Sequence, residues 1–304
     1  MIYTLGESLM DVIFETRTKV TPKPGGAMLN LAVSLGRCDL DVSLLTELGD
    51  DKVADEITSF LIENRVGTNY VKNYKQQVTS LALAFLDEQK KPTYSFYKSY
   101  PNERKLNIPE LFSNGDILIF GSLYSLDKKI RKQLKQVILQ AKECGCLIVY
   151  DPNIRNAHHL QDEEIMKSLL ENLVLADIIK GSDEDFENIF GESNGEIILK
   201  ELRKINKEAL IVYTKGEFGA EIMHGEKAYF EEAKKIKLIS TVGAGDNFTA
   251  GMVYSLSQLS LKKRQTKQFS EYELQNMLST GIKFSAEVCQ SVDNYVSKEF
   301  ANSL

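Results

Sequence analysis

Four cysteines in 304 residues, at 38, 144, 146 and 289, are too few and too scattered for a disulfide framework. Cys144 and Cys146 flank Gly145 at a spacing that invites a metal or redox reading. No second Cys or His pair stands at ligand spacing, so the segment reads as a helix ending at Gly145 and a strand beginning after it. A reduced, cytoplasmic setting is the expectation. Histidine is scarcer still, with three in the chain. His158 and His159 read as a solvated helix start in preference to the lining of a nucleotide cleft. No apolar run approaches the length of a membrane span, and "MIYTLGESLMDVIF" lacks both the basic start and the long apolar core of a signal peptide. Excess positive charge is missing too: a net charge of −6 argues against nucleic acid or an anionic membrane as the main partner. There is no G-x-x-x-x-G-K-[ST] stretch and no G-x-G-x-x-G after the first strand, which disfavours P-loop and dinucleotide chemistry.

What is present is an ordinary globular balance, 43% hydrophobic and 26% charged, in a chain long enough for a sizeable core. Four uninterrupted β-branched runs, "DILIFGS" (116–122), "LIVYDPN" (147–153), "ADIIKGS" (176–182) and "ALIVYTKG" (209–216), read as fully buried strands. Helical patterns separate them: "DKKIRKQLKQVILQAKECG", "DEEIMKSLLENLVL" and "NGEIILKELRKIN". Strand and helix in alternation predict an α/β fold, a mostly parallel central sheet with helices on both faces. Ligands of such sheets bind at the carboxyl ends of the strands, where Gly, Asp, Ser and Thr fall here. "SLALAFLDEQKKPTYSFYKS" (80–99) breaks the alternation and predicts a hairpin with a polar turn at Asp87 to Lys91. The chain is expected to be a single domain over 1–304, its small β element formed by segments at about 12–22 and 72–100. No repeat, linker or low-complexity tract is evident, and "KKRQTKQ" (262–268) reads as a solvated basic loop between helices.

Four stretches carry chemistry. "STVGAGDNFTAG" (240–251) sets Gly243, Ala244, Gly245 and Asp246 ahead of a helix, where backbone N–H groups and the helix dipole favour an anion. Asp246 is either a dipole-favoured helix residue or an acid that handles a proton while the amides hold a phosphate. The small residues Ala250 and Gly251 suit close packing on the sheet. "KPGGAMLN" places Gly25 and Gly26 at the start of a helix bearing Asn30, a simple turn or a site for hydroxyls. "GESLMD" leads to Asp11, whose carboxylate can accept two hydrogen bonds from vicinal hydroxyls. "DPNIR" puts Arg155 at the mouth of a strand, suited to clamp a phosphate.

Taken together and in this order, these stretches resemble the ribokinase-like sugar kinases, the PfkB family, over about residues 3–290. "TVGAGDNFTAG" matches the family's second signature, "GGAMLNLAVSLGRC" is similar to its first, and "SFYKSYPNERKL" with "DPNIR" looks more like the fructokinase branch. The resemblance implies a ribokinase-like fold with a β-sheet lid and ATP with Mg²⁺ as partners in transfer to a primary hydroxyl. Asp246 would be the general base, the 243–246 amides the anion hole, and Arg155 a phosphate ligand. Asp11, Gly25, Gly26 and Asn30 would hold the sugar, with Tyr97 or Lys98 of the lid closing over it. Lys180, Ser182, Asp185, Thr214, Gly216 and Gly219 would meet ATP, and residues 281–289 would border the adenine.

Three departures qualify the resemblance. "SDED" stands for the usual Asn-x-x-Glu, so Asp185 suits a magnesium contact through water better than a direct one. Ser240 replaces an acid that is a ligand in members activated by a monovalent cation, which predicts weak or absent K⁺ activation. Ala54 replaces a common glycine without evident consequence. Fructose is the first-choice acceptor. Ribose, a 2-keto-3-deoxy sugar acid and a nucleoside are the alternatives; a sugar acid would want a second cation near the lid, which Lys98 could supply. A sugar-binding sensor on a retired kinase scaffold is the reading from another class, and a homodimer through crossed lids is the family-like expectation.

Overall fold

The structure, a computed structural model, describes residues 1–86, 92–154, 157–260 and 268–304. The polar turn expected at 87–91, Arg155 and nearly all of the basic segment 262–268 lie outside the described residues.

In chain order the strands are β1 (Ile2–Leu5), β2 (Leu9–Phe14), β3 (Val20–Gly25), β4 (Val42–Leu48), β5 (Val66–Gly67), β6 (Val71–Asn73), β7 (Leu81–Leu86), β8 (Pro92–Tyr97), β9 (Ile117–Gly121), β10 (Leu147–Asp151), β11 (Ile178–Ser182), β12 (Leu210–Thr214), β13 (Ala220–His224) and β14 (Lys227–Glu231). The main helices are α1 (Ala27–Arg37), α2 (Lys52–Glu63), α3 (Arg131–Glu143), α4 (Glu163–Leu175), α5 (Asp183–Phe190), α6 (Gly195–Ile205), α7 (Ala244–Ser257) and α8 (Glu271–Cys289).

The four apolar runs became β9 to β12, parallel neighbours at the heart of a ten-stranded sheet ordered β14-β13-β12-β11-β10-β9-β1-β4-β5, with β6 pairing β4 off that path. The sheet is mixed, because β13 and β14 add an antiparallel meander at one edge that the strand–helix alternation does not predict. Each face carries its own apolar layer. Side chains from α1, α2, α7 and α8 fill one, and those from α3 to α6 fill the other. Local chemistry fixes the helix starts: Asp51, Asp162, Asn194 and Ser270 each accept backbone N–H groups of the first turn. The Cys144-Gly145-Cys146 segment is the helix end and strand start expected for it, with Gly145 at φ 81°. Burial, reinforced by Asp116, pushes the Cys146 thiol up to about 12, which leaves it inert.

One packing expectation fails. A Cβ on Gly251 would meet the Thr280 carbonyl at 2.5 Å and Phe284 at 2.9 Å, so the small residue lets α7 close on α8, not on the sheet.

The second sheet has four strands in the order β3-β2-β7-β8. β7 and β8 pair antiparallel as the expected hairpin, and β2 joins β7 in parallel. The main-sheet pairing of β6 keeps residues 71–73 out of this lid.

Candidate active site

Period-two alternation places the buried charges. Along β10, Leu147 and Val149 face the α7 layer while Ile148 and Tyr150 face the other, so Asp151 falls on the α7 side. Along β11, Ile178 faces that layer and Ile179 does not, which carries Lys180 to the same side. The two meet as an ion pair, Nζ to Oδ2 at 3.1 Å, with both side chains almost wholly buried. Thr249 of α7 donates its hydroxyl to the same Oδ2 at 2.9 Å. Burial, with Asp185 and Asp246 nearby, holds the Asp151 carboxyl above the ordinary range against the pull of Lys180. The Lys180 ammonium is raised: burial opposes its charge, but Asp151, Asp185 and Asp246 outweigh that cost. A Cβ on Gly245 would lie 3.1 Å from Lys180 Nζ, so the ammonium sits directly under the first turn of α7.

That turn begins at Gly243, whose φ of 80° no side chain adopts comfortably and whose α-carbon abuts the Asn294 carbonyl. No side chain caps the helix. Ala244 turns its N–H to the Thr241 carbonyl at 3.2 Å, so its part in the expected anion hole is already engaged. Asn247 ties the turn down, donating from Nδ2 to the carbonyls of Gly243 (2.8 Å) and Asn294 (2.7 Å). Asp246 is 5% exposed, and its Oδ2 accepts from Asn30 Nδ2 at 2.8 Å. The oxygen of the same Asn30 amide is buried without a partner among the described residues, an acceptor beside the carboxylate.

Asn30 rides on the first turn of α1, which follows Gly25 and Gly26. A Cβ at Gly25 would stand 2.0 Å from Asp11 Oδ2, so only glycine lets that carboxylate lie against the β3 backbone. Gly26, at φ 121°, passes as closely over the Glu7 carbonyl. Glu7 accepts from Lys98 Nζ at 2.7 Å and from the Tyr100 hydroxyl at 2.8 Å. Of the two lid residues expected over the sugar, Lys98 is thus drawn to the end of β1. Tyr97, its neighbour in an extended chain, stays 60% exposed.

On the other flank, Ser182 and Asp185 form a capping box at the start of α5. Asp185 also accepts the Ile154 N–H at 2.6 Å, so both carboxylate oxygens serve the chain itself. Thr214, Gly216 and Gly219 share one turn after β12, with the Thr214 hydroxyl directed to the Gly181 carbonyl at 3.5 Å. The 281–289 stretch is the second half of α8; Gly281, Phe284 and Val288 are buried in its packing. Its Cys289 carbonyl accepts from Ile239 N–H at 2.8 Å and anchors the approach to Ser240. Ser240 in turn accepts the Val242 N–H on its hydroxyl at 3.2 Å.

The sequence reading passed over Glu7, Lys23, Thr249, Asn247 and Asn294 as site residues, and over the buried pair of Arg104 and Glu47. Arg104 makes a two-pronged bond to Glu47, stacks on Tyr100 at 3.9 Å and so stiffens the segment after Lys98. Alternation within "LIVYDPN" and "ADIIKGS" was the available signal for the pairing of Asp151 with Lys180. For partners separated by hundreds of residues there was none.

A buried acid at a helix start, a glycine over a buried ammonium, and polar groups able to meet hydroxyls alongside suit the transfer of a phosphoryl group to an alcohol. Comparison agrees: the family model described as pfkB family carbohydrate kinase matches residues 1–299. A fructokinase of Vibrio alginolyticus is 26% identical over 259 residues, 84% of either chain. A crystal structure of fructokinase from Vibrio cholerae O395, in its fructose, ADP and calcium ion bound form, superposes with a TM-score of 0.87 at 22% identity, covering 99% of this chain and 97% of that one. The aminoimidazole riboside kinase of Salmonella enterica superposes with 0.84 at 19% identity, covering 99% and 98%. The chain belongs to the PfkB family of carbohydrate kinases and is a sugar kinase that transfers phosphate to a hydroxyl. No helix among the described residues is long and apolar enough to cross a membrane.

Proposed function

We propose that the protein phosphorylates the primary hydroxyl of a neutral sugar, fructose, at the expense of ATP. The observation that supports this reading most is the 2.8 Å bond between Asn30 and Asp246, which joins the amide assigned here to the sugar with the acid at the start of α7. Asp246 takes the proton from the acceptor hydroxyl as its oxygen attacks the terminal phosphoryl group. The amides of Gly243, Gly245 and Asp246, with Lys180 beneath them, take up the charge that develops on the transferring oxygens. Asp11 and Asn30 hold ring hydroxyls, with Gly25 and Gly26 letting the backbone approach. Thr214, Gly216 and Gly219 line the nucleotide side, and Arg155 stands for the phosphates. Magnesium bound with ATP would neutralise and orient its phosphates; the donor set fits it through water at Asp185, whose oxygens are engaged directly by Ser182 and Ile154.

The lid favours a neutral acceptor over a sugar acid. Lys98, the cation that a carboxylate would seek, is already paired with Glu7. Relatives named fructokinase support fructose as the sugar. The exposed Val20, Phe85, Phe96 and Tyr97 of the lid sheet support a homodimer through that surface.

ADP release from MgATP across fructose, ribose, 2-keto-3-deoxygluconate and adenosine tests the reading, run with the wild type and Asp246→Asn. Fructose-dependent turnover that falls by roughly 10²–10⁴ in the variant is the expected result. Sugar binding by a wild type that turns over none of the four would return the sensor reading, and Asp246→Asn with full activity would remove the base.

A further inference from the structure

Lys23 belongs to β3, two residues before Gly25 and directly opposite Asp11 in the register of the lid. Its side chain is only 13% exposed and crosses from the sugar side of the site to the C-terminal segment. There Nζ donates to the Val292 carbonyl at 2.7 Å and to Asp293 Oδ1 at 2.8 Å. The next residue, Asn294, presents the carbonyl that accepts from Asn247 and that a Cβ on Gly243 would meet at 2.6 Å. One ammonium therefore holds the loop on which the first turn of α7 rests.

We propose that Lys23 is a positioning residue, a tethered cation that sets the Val292–Asn294 loop against Gly243 and so pre-forms the anion hole without a dissolved monovalent cation. The inference rests on the kinase reading above. Chemistry on both sides of the turn agrees with it. A lysine ammonium offers three donors to carbonyl and carboxylate oxygens, the ligands that a bare monovalent cation would take. On the other side of the turn, Ser240 brings no charge and spends its hydroxyl on the Val242 N–H. Among the other ties of the segment, the carbonyl of Asn294 takes the neutral amide of Asn247, and two residues further on Val296 is held by the Ser34 hydroxyl and the Arg37 guanidinium of α1. Lys23 alone of these links the loop to the strand that carries Gly25. Because Asp293 is 48% exposed, the ion pair itself contributes little to global stability. Its expected weight falls on the geometry of the turn.

The test compares wild type, Lys23→Met and Lys23→Arg in tetramethylammonium chloride and in potassium chloride at equal ionic strength. Wild-type kcat should be the same in both salts. Lys23→Met should lose about tenfold in kcat or more, with the sugar KM little changed, and potassium should restore several-fold of it. Lys23→Arg should keep most of the activity. Several-fold activation of the wild type by potassium overturns the proposal. So does a Lys23→Met loss that no monovalent cation relieves. Thermal melts supply a readout without turnover: potassium should raise the Lys23→Met midpoint by about 3 °C and leave the wild type in place. Equal response of the two proteins overturns the proposal even if no sugar of the panel is phosphorylated, an outcome that would separately remove the fructose reading.

Discussion

Replacing Lys180 by methionine separates a lysine that neutralises a buried acid from one that also stabilises the transferring phosphoryl group. The pair with Asp151 is almost wholly buried, and removing one partner of such a pair costs roughly 3–5 kcal/mol. In Lys180→Met, Asp151 keeps only the Thr249 hydroxyl as a described donor, with Asp185 and Asp246 still nearby. Its carboxyl, already above the ordinary range in the folded protein, then rises further. A carboxyl whose folded value exceeds its unfolded value contributes stability below the unfolded value of 3.8 and loses it as pH climbs through the folded value. The deficit of Lys180→Met against wild type should therefore be small near pH 4 and grow towards pH 8.

The double variant Lys180→Met/Asp151→Asn removes both charges and leaves an amide oxygen for Thr249. It should recover most of the lost stability and lose the pH dependence, because replacing a whole buried pair is far cheaper than breaking it. Turnover should not recover. On the proposed reading the cation under Gly245 faces the transferring phosphate, and loss of one such electrostatic contact costs about 10²–10³ in kcat. Urea melts at three pH values and sugar-dependent ADP release read the two effects separately. A double variant that turns over within about threefold of wild type would show that Lys180 only balances Asp151, and the phosphoryl role would fall.

Two further predictions concern single contacts. Gly25→Ala drives a Cβ into Asp11 Oδ2, so the sugar KM should rise by roughly ten- to a hundredfold, the worth of a lost charged hydrogen bond, while the ATP KM holds; an effect confined to kcat would refute the placement of Asp11 at the sugar. Asp51 is lowered in the folded state: burial pushes its carboxyl up, but the N–H groups of Thr79 and Ala54 and the Thr79 hydroxyl outweigh it. Asp51→Ala should cost about 1–2 kcal/mol at pH 7 by urea melts, and the gap to wild type should close as pH falls through the depressed value; a gap independent of pH would refute the assignment.

The parts legible in the sequence are those whose cause is local. β9 to β12 were readable because each is an unbroken apolar run ending in a polar residue, and the helix between each pair had its own period. The Gly243–Asp246 turn and the Gly25-Gly26-Asn30 start were readable because a helix start and its glycines occupy one contiguous stretch. The β13–β14 meander was missed: "AEIMHGEKAYFE" alternates only weakly and its tight turn at Gly225 carries no companion Asn or Asp before it. Lys180 entered through the family resemblance as a residue to meet ATP, and its pairing with Asp151 went unread. A lysine inside "ADIIKGS" passes for the polar end of a strand until the register with β10 shows which face it takes. Asp185 was read by its chemistry, as a metal-side acid, when its nearest work is to close the start of α5.

The two halves of the site are assembled from different parts of the chain. Glu7, Asp11, Lys23, Asn30 and Lys98 come from the first third and the lid. Asp151, Lys180 and Asp246 come from strands and a helix beyond it. Described polar bonds that join the halves there include Asn30 to Asp246, Ser34 to Asn247 and to the Val296 N–H, and Lys23 to the loop behind Gly243. A sugar seated between Asp11 and Asn30 thus bears on the same amide that touches the base. Lid strand β3 bears, through Lys23, on the turn that faces the phosphate. On the proposed reading these contacts link acceptor binding to the geometry of the anion hole, so substitutions at Lys23 should appear in kcat, whereas those at Gly25, which bear first on Asp11, should appear in KM.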